Sequence, residues 1–298
     1  MEDRSLAITD LGAPGFSGRA LSPQALVAVM DGHGGPGTAE WLRDNLAAEV
    51  RAHLGRVAQE VRQLQVYPST ATLLLNFICV AALSAAFATA DQKLLLEAQV
   101  TSSGSCLTGA LVIGARLYVF NVGDSRTLLC RAGALQLATR DHKPDAPAEW
   151  DRISEAGGIV LHGRVMGELA VSRAFGDFHL KDPLRLPPEH PRRSPAPLAG
   201  GYPQGLTDRW ALLQKEAAEG GEEEEPLWQS PLVIPTPEIT VAALTDQDEF
   251  ILLACDGLFD VTTNEEAVEA ACSSLRTEGG NDFVAHACET LATRCVVS

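Results

Sequence analysis

Three times in this chain an apolar run ends abruptly in a glycine and an aspartate, and that repetition constrains the fold more than any bulk property. Ala25-Leu-Val-Ala-Val-Met30 runs into Asp31-Gly-His-Gly-Gly35. Leu117-Tyr-Val-Phe-Asn-Val122 runs into Gly123-Asp124-Ser-Arg126, and Phe250-Ile-Leu-Leu-Ala-Cys255 into Asp256-Gly-Leu-Phe-Asp260. Short apolar runs bounded by turn residues predict strands buried on both faces or in a sandwich core. A carboxylate at the mouth of such a strand has its backbone fixed by the sheet, while its oxygens still face solvent. Asp-Gly is also an ordinary turn signal, so a single copy says little. Three strand-end carboxylates far apart in the chain can meet only through the fold, and on meeting they repel unless a cation sits between them. Hard oxygen ligands suit Mg²⁺ or Mn²⁺. Gly32, Gly34 and Gly35 carry no side chains and leave room for an ion or a phosphate to approach the backbone.

With 298 residues, 46% of them hydrophobic, the chain can bury a large core. A net charge of −16 argues against nucleic acid and anionic membrane surfaces as partners. The seven cysteines are odd in number and contain no Cys-x-x-Cys pair, which reads as a reduced, intracellular thiol set and places the protein in the cytoplasm or nucleus. Cys255 is expected to point away from Asp256 into the core, because side chains alternate along a strand. The charged start Met1-Glu-Asp-Arg4 is no signal peptide. Val66 to Ala90 carries no charge and is long enough for a membrane span. Its Pro68, Asn76, Ser, Thr and many Ala residues favour a buried helix instead, and no membrane association is expected.

The ordered series Asp31-Gly-His-Gly-Gly, Gly104-Ser-Cys, Asn121-Val-Gly-Asp-Ser-Arg126, Arg140-Asp-His-Lys-Pro144, Arg164-Val-Met-Gly-Glu-Leu-Ala-Val-Ser-Arg-Ala-Phe-Gly-Asp177 and Asp256-Gly-Leu-Phe-Asp260 resembles the motifs of metal-dependent Ser/Thr protein phosphatases of type 2C, the PPM family. The resemblance covers most of the chain. It implies an α+β fold, a β-sandwich of two mostly antiparallel sheets flanked by helices on both outer faces, in four αββα layers. Strand and helix alternation alone would also allow a doubly wound sheet. It further implies a single phosphatase domain over residues 1–298, monomeric, with a Pro-, Gly- and Glu-rich insertion in the flap region at about 178–235. That insertion reads as an acidic selectivity arm or as a disordered surface loop, with a short helix at Thr207 to Ala218. Relative to the family pattern, an upstream phosphate-gripping arginine and a downstream Asp-Asn element with a last core strand are missing. The chain therefore reads as truncated at both ends or as a variant that works without them.

By the same resemblance, Asp31 and Asp256 hold two Mg²⁺ or Mn²⁺ ions, with Asp31 bridging them and the Gly32 carbonyl as a further ligand. Glu2 and Asp3 match the family's acids beside the metals, although an acidic terminus can equally be a frayed one. Asp124 matches the support of a third, weakly held ion, or is a loop acid paired to Arg126. Two nearby cations turn a bridging water into hydroxide, which attacks phosphorus in line. His33 then protonates the serine or threonine leaving group. The expected substrates are phosphoproteins. A pseudophosphatase scaffold, or an inactive fragment of an active parent, stays open as the alternative.

In the connecting segments, helical periodicity predicts one helix from Thr38 and a second tract over Ala48 to Leu64. Ser102 to Gly109 reads as a break before two strands turning at Gly114-Ala-Arg116, followed by a hairpin through Ala132-Gly133.

Overall fold

The computed structural model describes residues 2–16, 21–62, 71–96, 103–181, 228, 230–277 and 283–297. The predicted helix at Thr207 to Ala218, the Glu222–Glu225 run and most of the flap region lie outside the described residues. The chain divides into two units, one of Met1–His142, Arg173–Gly176 and Pro235–Ser298, the other of Lys143–Ser172 and Asp177–Ile234.

The first unit is a sandwich of two antiparallel sheets. The larger runs in the order β1 (Arg4–Ile8), β2 (Gln24–His33), β3 (Gly104–Ile113), β4 (Arg116–Val122) and β10 (Glu238–Ala243), with β9 (Phe175–Gly176) paired to the start of β3. The smaller is β11 (Asp248–Ala254), β5 (Arg126–Arg131) and β6 (Ala134–Ala138). The near-continuous apolar runs of β3, β4 and β5 follow from this layering, because both faces of these central strands are covered. Ala110, Leu117, Val119 and Leu129 are buried between the sheets, with Val27, Leu137 and Ile251 packed against them. Their neighbours Tyr118, Phe120, Leu128 and Cys130 point outward and are also buried, because helices cover both outer faces.

On the larger sheet lie α1 (Gly37–Arg62) and α2 (Ala71–Leu96). The pairs Thr89–His53 at 3.0 Å and Lys93–Glu49 at 2.8 Å step in opposite directions along the two helices, so they run antiparallel. Phe87 of α2 meets Phe120 edge-on at 5.3 Å and Phe175 at the same distance, which fastens the helix to β4 and β9. Thr72–Leu96 is long and apolar enough to cross a membrane by length and composition. In this fold Cys79, Leu83, Phe87 and Leu94 form its buried stripe, while Leu73 and Phe77 are exposed. On the smaller sheet, α5 (Asn264–Thr277) and α6 (Phe283–Val297) bury Val268, Ala271, Cys272 and Leu291 against Leu128 and Cys130. The four-layer αββα arrangement and the α+β class expected above are both observed.

Two local readings are corrected. The tract from Gly37 to Arg62 is one helix, not two, because Ala47-Ala48 at the supposed join favours continuation. The Ser- and Gly-rich stretch after α2 is not a break but the first half of β3, a ten-residue strand paired along the whole of β2 from His33↔Gly104 to Gln24↔Ile113. Small residues suit a position walled in by backbone and aromatic rings. The hairpin at Ala132-Gly133 forms as expected, both residues taking the left-handed conformation (φ 52° and 74°) of a two-residue turn.

The second unit contains α3 (Pro147–Glu155) and a small hairpin of β7 (Val160–Leu161) and β8 (Arg164–Val165). Arg152 organises it, binding Glu149 at 2.8 Å, the Ser172 carbonyl at 2.9 Å and the Leu232 carbonyl at 3.0 Å.

Candidate metal centre

Strand pairing, not sequence proximity, assembles the acidic cluster. β1 and β2 pair Arg4 with Met30, so continuing that antiparallel register sets Asp3 beside Asp31 and Glu2 beside Gly32. The fit is close: a Cβ at Gly32 would stand 2.8 Å from the Glu2 carbonyl oxygen, so only glycine lets the two backbones pass. On the other side of β2, Asp31 faces Cys106 of β3. The Cys106 thiol donates a hydrogen bond to Asp124 Oδ1 at 3.3 Å. Burial, reinforced by the Asp124 charge, pushes the Cys106 thiol well up, which keeps it a protonated donor. Asp124 reaches this point through Gly123, whose φ of 102° turns the chain at the end of β4. His142 clamps that turn, its Nδ1 accepting the Gly123 N–H at 3.1 Å while its backbone N–H bonds the Gly123 carbonyl at 2.9 Å.

The last carboxylate arrives from the other sheet. β11 ends at Ala254, Cys255 is extended (φ −74°, ψ 176°), and Asp256 opens the short helix α4 (Asp256–Phe259). Carboxylate oxygens of Asp31 and Asp256 and the Cys255 sulfur lie within 4.8 Å of one another. The sulfur is 3.9 Å from Asp3 Oδ2. Cys255 thus belongs to the cluster and not to the core side as alternation had suggested. The strand has ended, so the period-two rule no longer assigns its face. The signal available in the sequence was the turn chemistry of Asp256-Gly257 immediately after it.

Electrostatics measures the convergence. The Asp31 carboxyl is pushed up to about 7 by burial first, then by the charges of Asp256, Asp3 and Asp124, with His33 pulling the other way. His33 closes β2 opposite Gly104. Behind the cluster, Arg126 forks onto Asp141 at 2.6 and 2.9 Å, adds Asn264 at 3.0 Å and lies over the Phe259 ring at 4.9 Å, tying β5 to the segment after Asp256. The Asp124 charge also raises the Arg126 pKa, though less than Asp141 does.

Asp256, Asp3 and Asp124 therefore all crowd the buried Asp31 carboxyl with negative charge; a divalent cation would relieve that crowding, and the hard oxygen donors fit Mg²⁺ or Mn²⁺. A stability consequence follows for the metal-free protein. Asp31 binds its proton more tightly folded, near 7, than at its ordinary 3.8, so the folded state carries more protons between those values. The stability this contributes is complete below about pH 4 and is lost as the pH rises through about 7. In chelator, the melting temperature should fall between about pH 5 and about pH 8 more steeply than that of Asp31→Asn, and Mn²⁺ should recover it at the upper end. Parallel melting curves for the two proteins would disprove the coupling.

A protein-family model described as Protein phosphatase 2C matches residues 1–297. Among curated relatives, a probable protein phosphatase 2C 2 of Oryza sativa subsp. japonica is 32% identical over 93% of this chain and 60% of its own length. A probable protein phosphatase 1N of Mus musculus is 34% identical over 93% of this chain and 54% of its own length. Protein phosphatase 1B of the same organism is 29% identical over 99% of this chain and 63% of its own length. The chain thus spans between 54% and 63% of these three relatives. The crystal structure of a serine-threonine phosphatase 2C from Toxoplasma gondii has the same fold, with a TM-score of 0.66 at 24% identity over 99% of this chain and 85% of that one.

Proposed function

Because the chain belongs to the protein phosphatase 2C family, we propose that it hydrolyses phosphoserine and phosphothreonine in proteins, using two Mg²⁺ or Mn²⁺ ions held at the Asp31–Asp256 cluster. The observation that carries this reading is the convergence of Asp31 and Asp256 from two different sheets, with their carboxylate oxygens within 4.8 Å of each other; burial first and the Asp256 charge next push the Asp31 carboxyl up to about 7. Asp31, Asp256 and the Gly32 carbonyl would hold the ions, with Glu2 and Asp3 orienting coordinated water and Asp124 supporting a third, weakly held ion. When bound, such ions supply Lewis-acid charge and make water acidic enough to act as a nucleophile near neutral pH.

The chain's own residues then have distinct tasks. Asp31 and Asp256 would fix the site, the backbone of Asp31 held by strand pairing within β2 and that of Asp256 by the first turn of α4. His33 would act on the leaving group: as the phosphorus–oxygen bond breaks and water oxygen bonds to phosphorus, the serine or threonine oxygen would take a proton from the imidazolium. No cysteine nucleophile is required, and Cys255 and Cys106 serve as protonated neighbours of the acids, both held up by burial. The proposed setting is a reducing compartment, cytoplasm or nucleus, which suits the free thiols.

The test is Mn²⁺-dependent phosphate release from a phosphothreonine peptide and, in parallel, from an aryl phosphate whose leaving group needs no proton. His33→Gln should slow the peptide reaction about 10²-fold and the aryl reaction far less. Equal losses on both substrates would remove His33 from the acid role. A folded chain that binds Mn²⁺ yet turns over neither substrate would favour the phosphoprotein-binding scaffold.

A further inference from the structure

A second cluster of ligand-type side chains lies away from the carboxylates, at the far end of β11. Cys130 of β5 and Cys272 of α5 bring their sulfur atoms to 3.7 Å, and both residues are buried. A Glu249 carboxylate oxygen lies within 4.8 Å of both sulfurs. Glu249 reaches them because β11 carries a bulge: Asp248 pairs with Arg131 and Phe250 with Cys130, leaving Glu249 as the extra residue. Phe250 already faces the helix layer. In an unbroken strand its neighbour would face between the sheets, and the bulge turns Glu249 out to the same side as the thiols.

The spacing is informative. Zinc–sulfur bonds of about 2.3 Å in a tetrahedron place neighbouring sulfurs about 3.8 Å apart, close to the separation here, whereas a disulfide needs about 2.05 Å. We propose that Cys130, Cys272 and Glu249 form a Zn²⁺ site, with water completing a tetrahedron on the solvent side where Glu249 is exposed. Coordination replaces the two S–H protons, which pass to solvent. Two sulfur donors make the site selective for zinc over Mg²⁺ and Mn²⁺, so it does not compete for the ions of the Asp31 cluster. Its occupant would pin β5, α5 and the start of β11 together. Asp256 follows the other end of that strand, roughly 20 Å along it. Arg276, 3.9 Å from Glu249 and largely exposed, is the partner that Glu249 exchanges for the metal.

The test uses the whole chain in excess Mg²⁺, which fills the carboxylate cluster, titrated with Co²⁺ as a spectroscopic substitute for zinc. One equivalent should produce thiolate-to-cobalt charge-transfer bands with tetrahedral d–d bands, bleached by Zn²⁺ and accompanied by a higher melting temperature. The bands should persist in Cys255→Ser and vanish in Cys272→Ser. Glu249→Gln, a surface change that keeps the fold, should retain thiolate bands while weakening binding at least as much as loss of an outer-shell partner does, about 10- to 100-fold. Bands that vanish in Cys255→Ser but survive in Cys272→Ser would overturn the assignment, as would wild-type affinity in Glu249→Gln. A Cys130–Cys272 disulfide found by mass spectrometry in protein purified without oxidant would overturn it too, replacing the metal with a redox link.

Discussion

Asp256→Asn should fold, bind Mn²⁺ weakly and release phosphate from a phosphothreonine peptide at least about 10³-fold more slowly than the parent, roughly 4 kcal/mol of transition-state stabilisation. The substitution keeps the shape of the side chain and removes one formal charge. Its diagnostic value is that activity and metal-free stability should move in opposite directions. Asp256 is the largest charge acting to raise Asp31, so without it the Asp31 carboxyl falls back toward its ordinary range. The chelated variant should then melt above the chelated parent near pH 8, while responding less to added Mn²⁺. Loss of a merely structural acid would instead lower both. Wild-type turnover at saturating Mn²⁺ would sink the assignment of Asp256 to the metal.

Gly109→Ala should damage the sandwich severely for a single added methyl, costing about 3 kcal/mol or more and lowering the melting temperature by about 10 °C. β3 is held between β2 and β4, and a Cβ at Gly109 would stand 2.4 Å from the Val27 carbonyl oxygen and 2.5 Å from the Phe120 ring. Neither can give way. The Val27 backbone is paired in register with Ala110, and the Phe120 ring is braced edge-on by Phe87. Gly12→Ala is the control, because its Cβ would meet nothing within 4 Å and pays only for a φ of 57°, about 1 kcal/mol. Thermal melts of the two variants in chelator measure the packing difference without the metal. Equal melting temperatures would mean that β3 can shift within the sheet.

Much of the candidate site was legible in the sequence because its chemistry is concentrated at strand ends. Asp31, Asp124 and Asp256 each stand at the end of an apolar run beside a glycine, and in the fold Asp124 and Asp256 both act on the Asp31 carboxyl. Glu2 and Asp3 could not be placed from the residues alone, since a charged terminus looks the same whether frayed or paired; only the register of β1 against β2 puts them beside Gly32 and Asp31. The Ser- and Gly-rich start of β3 resembled a loop because its residues have low strand propensity. That preference is overridden by continuous pairing with β2.

Local sequence determined most of the elements, the Ala132-Gly133 hairpin turn and the acids that end the strands, because periodicity, turn preference and charge act over a few residues. The tertiary structure alone decided which residues share a site. Cys255 joined the acids because its strand had already ended, Arg126 settled on Asp141 and Asn264 from separate segments, and a bulge carried Glu249 to Cys130 and Cys272. Each depends on register and on the angle between packed layers. Those are properties of pairs of segments distant in the chain, and no local stretch of residues encodes them.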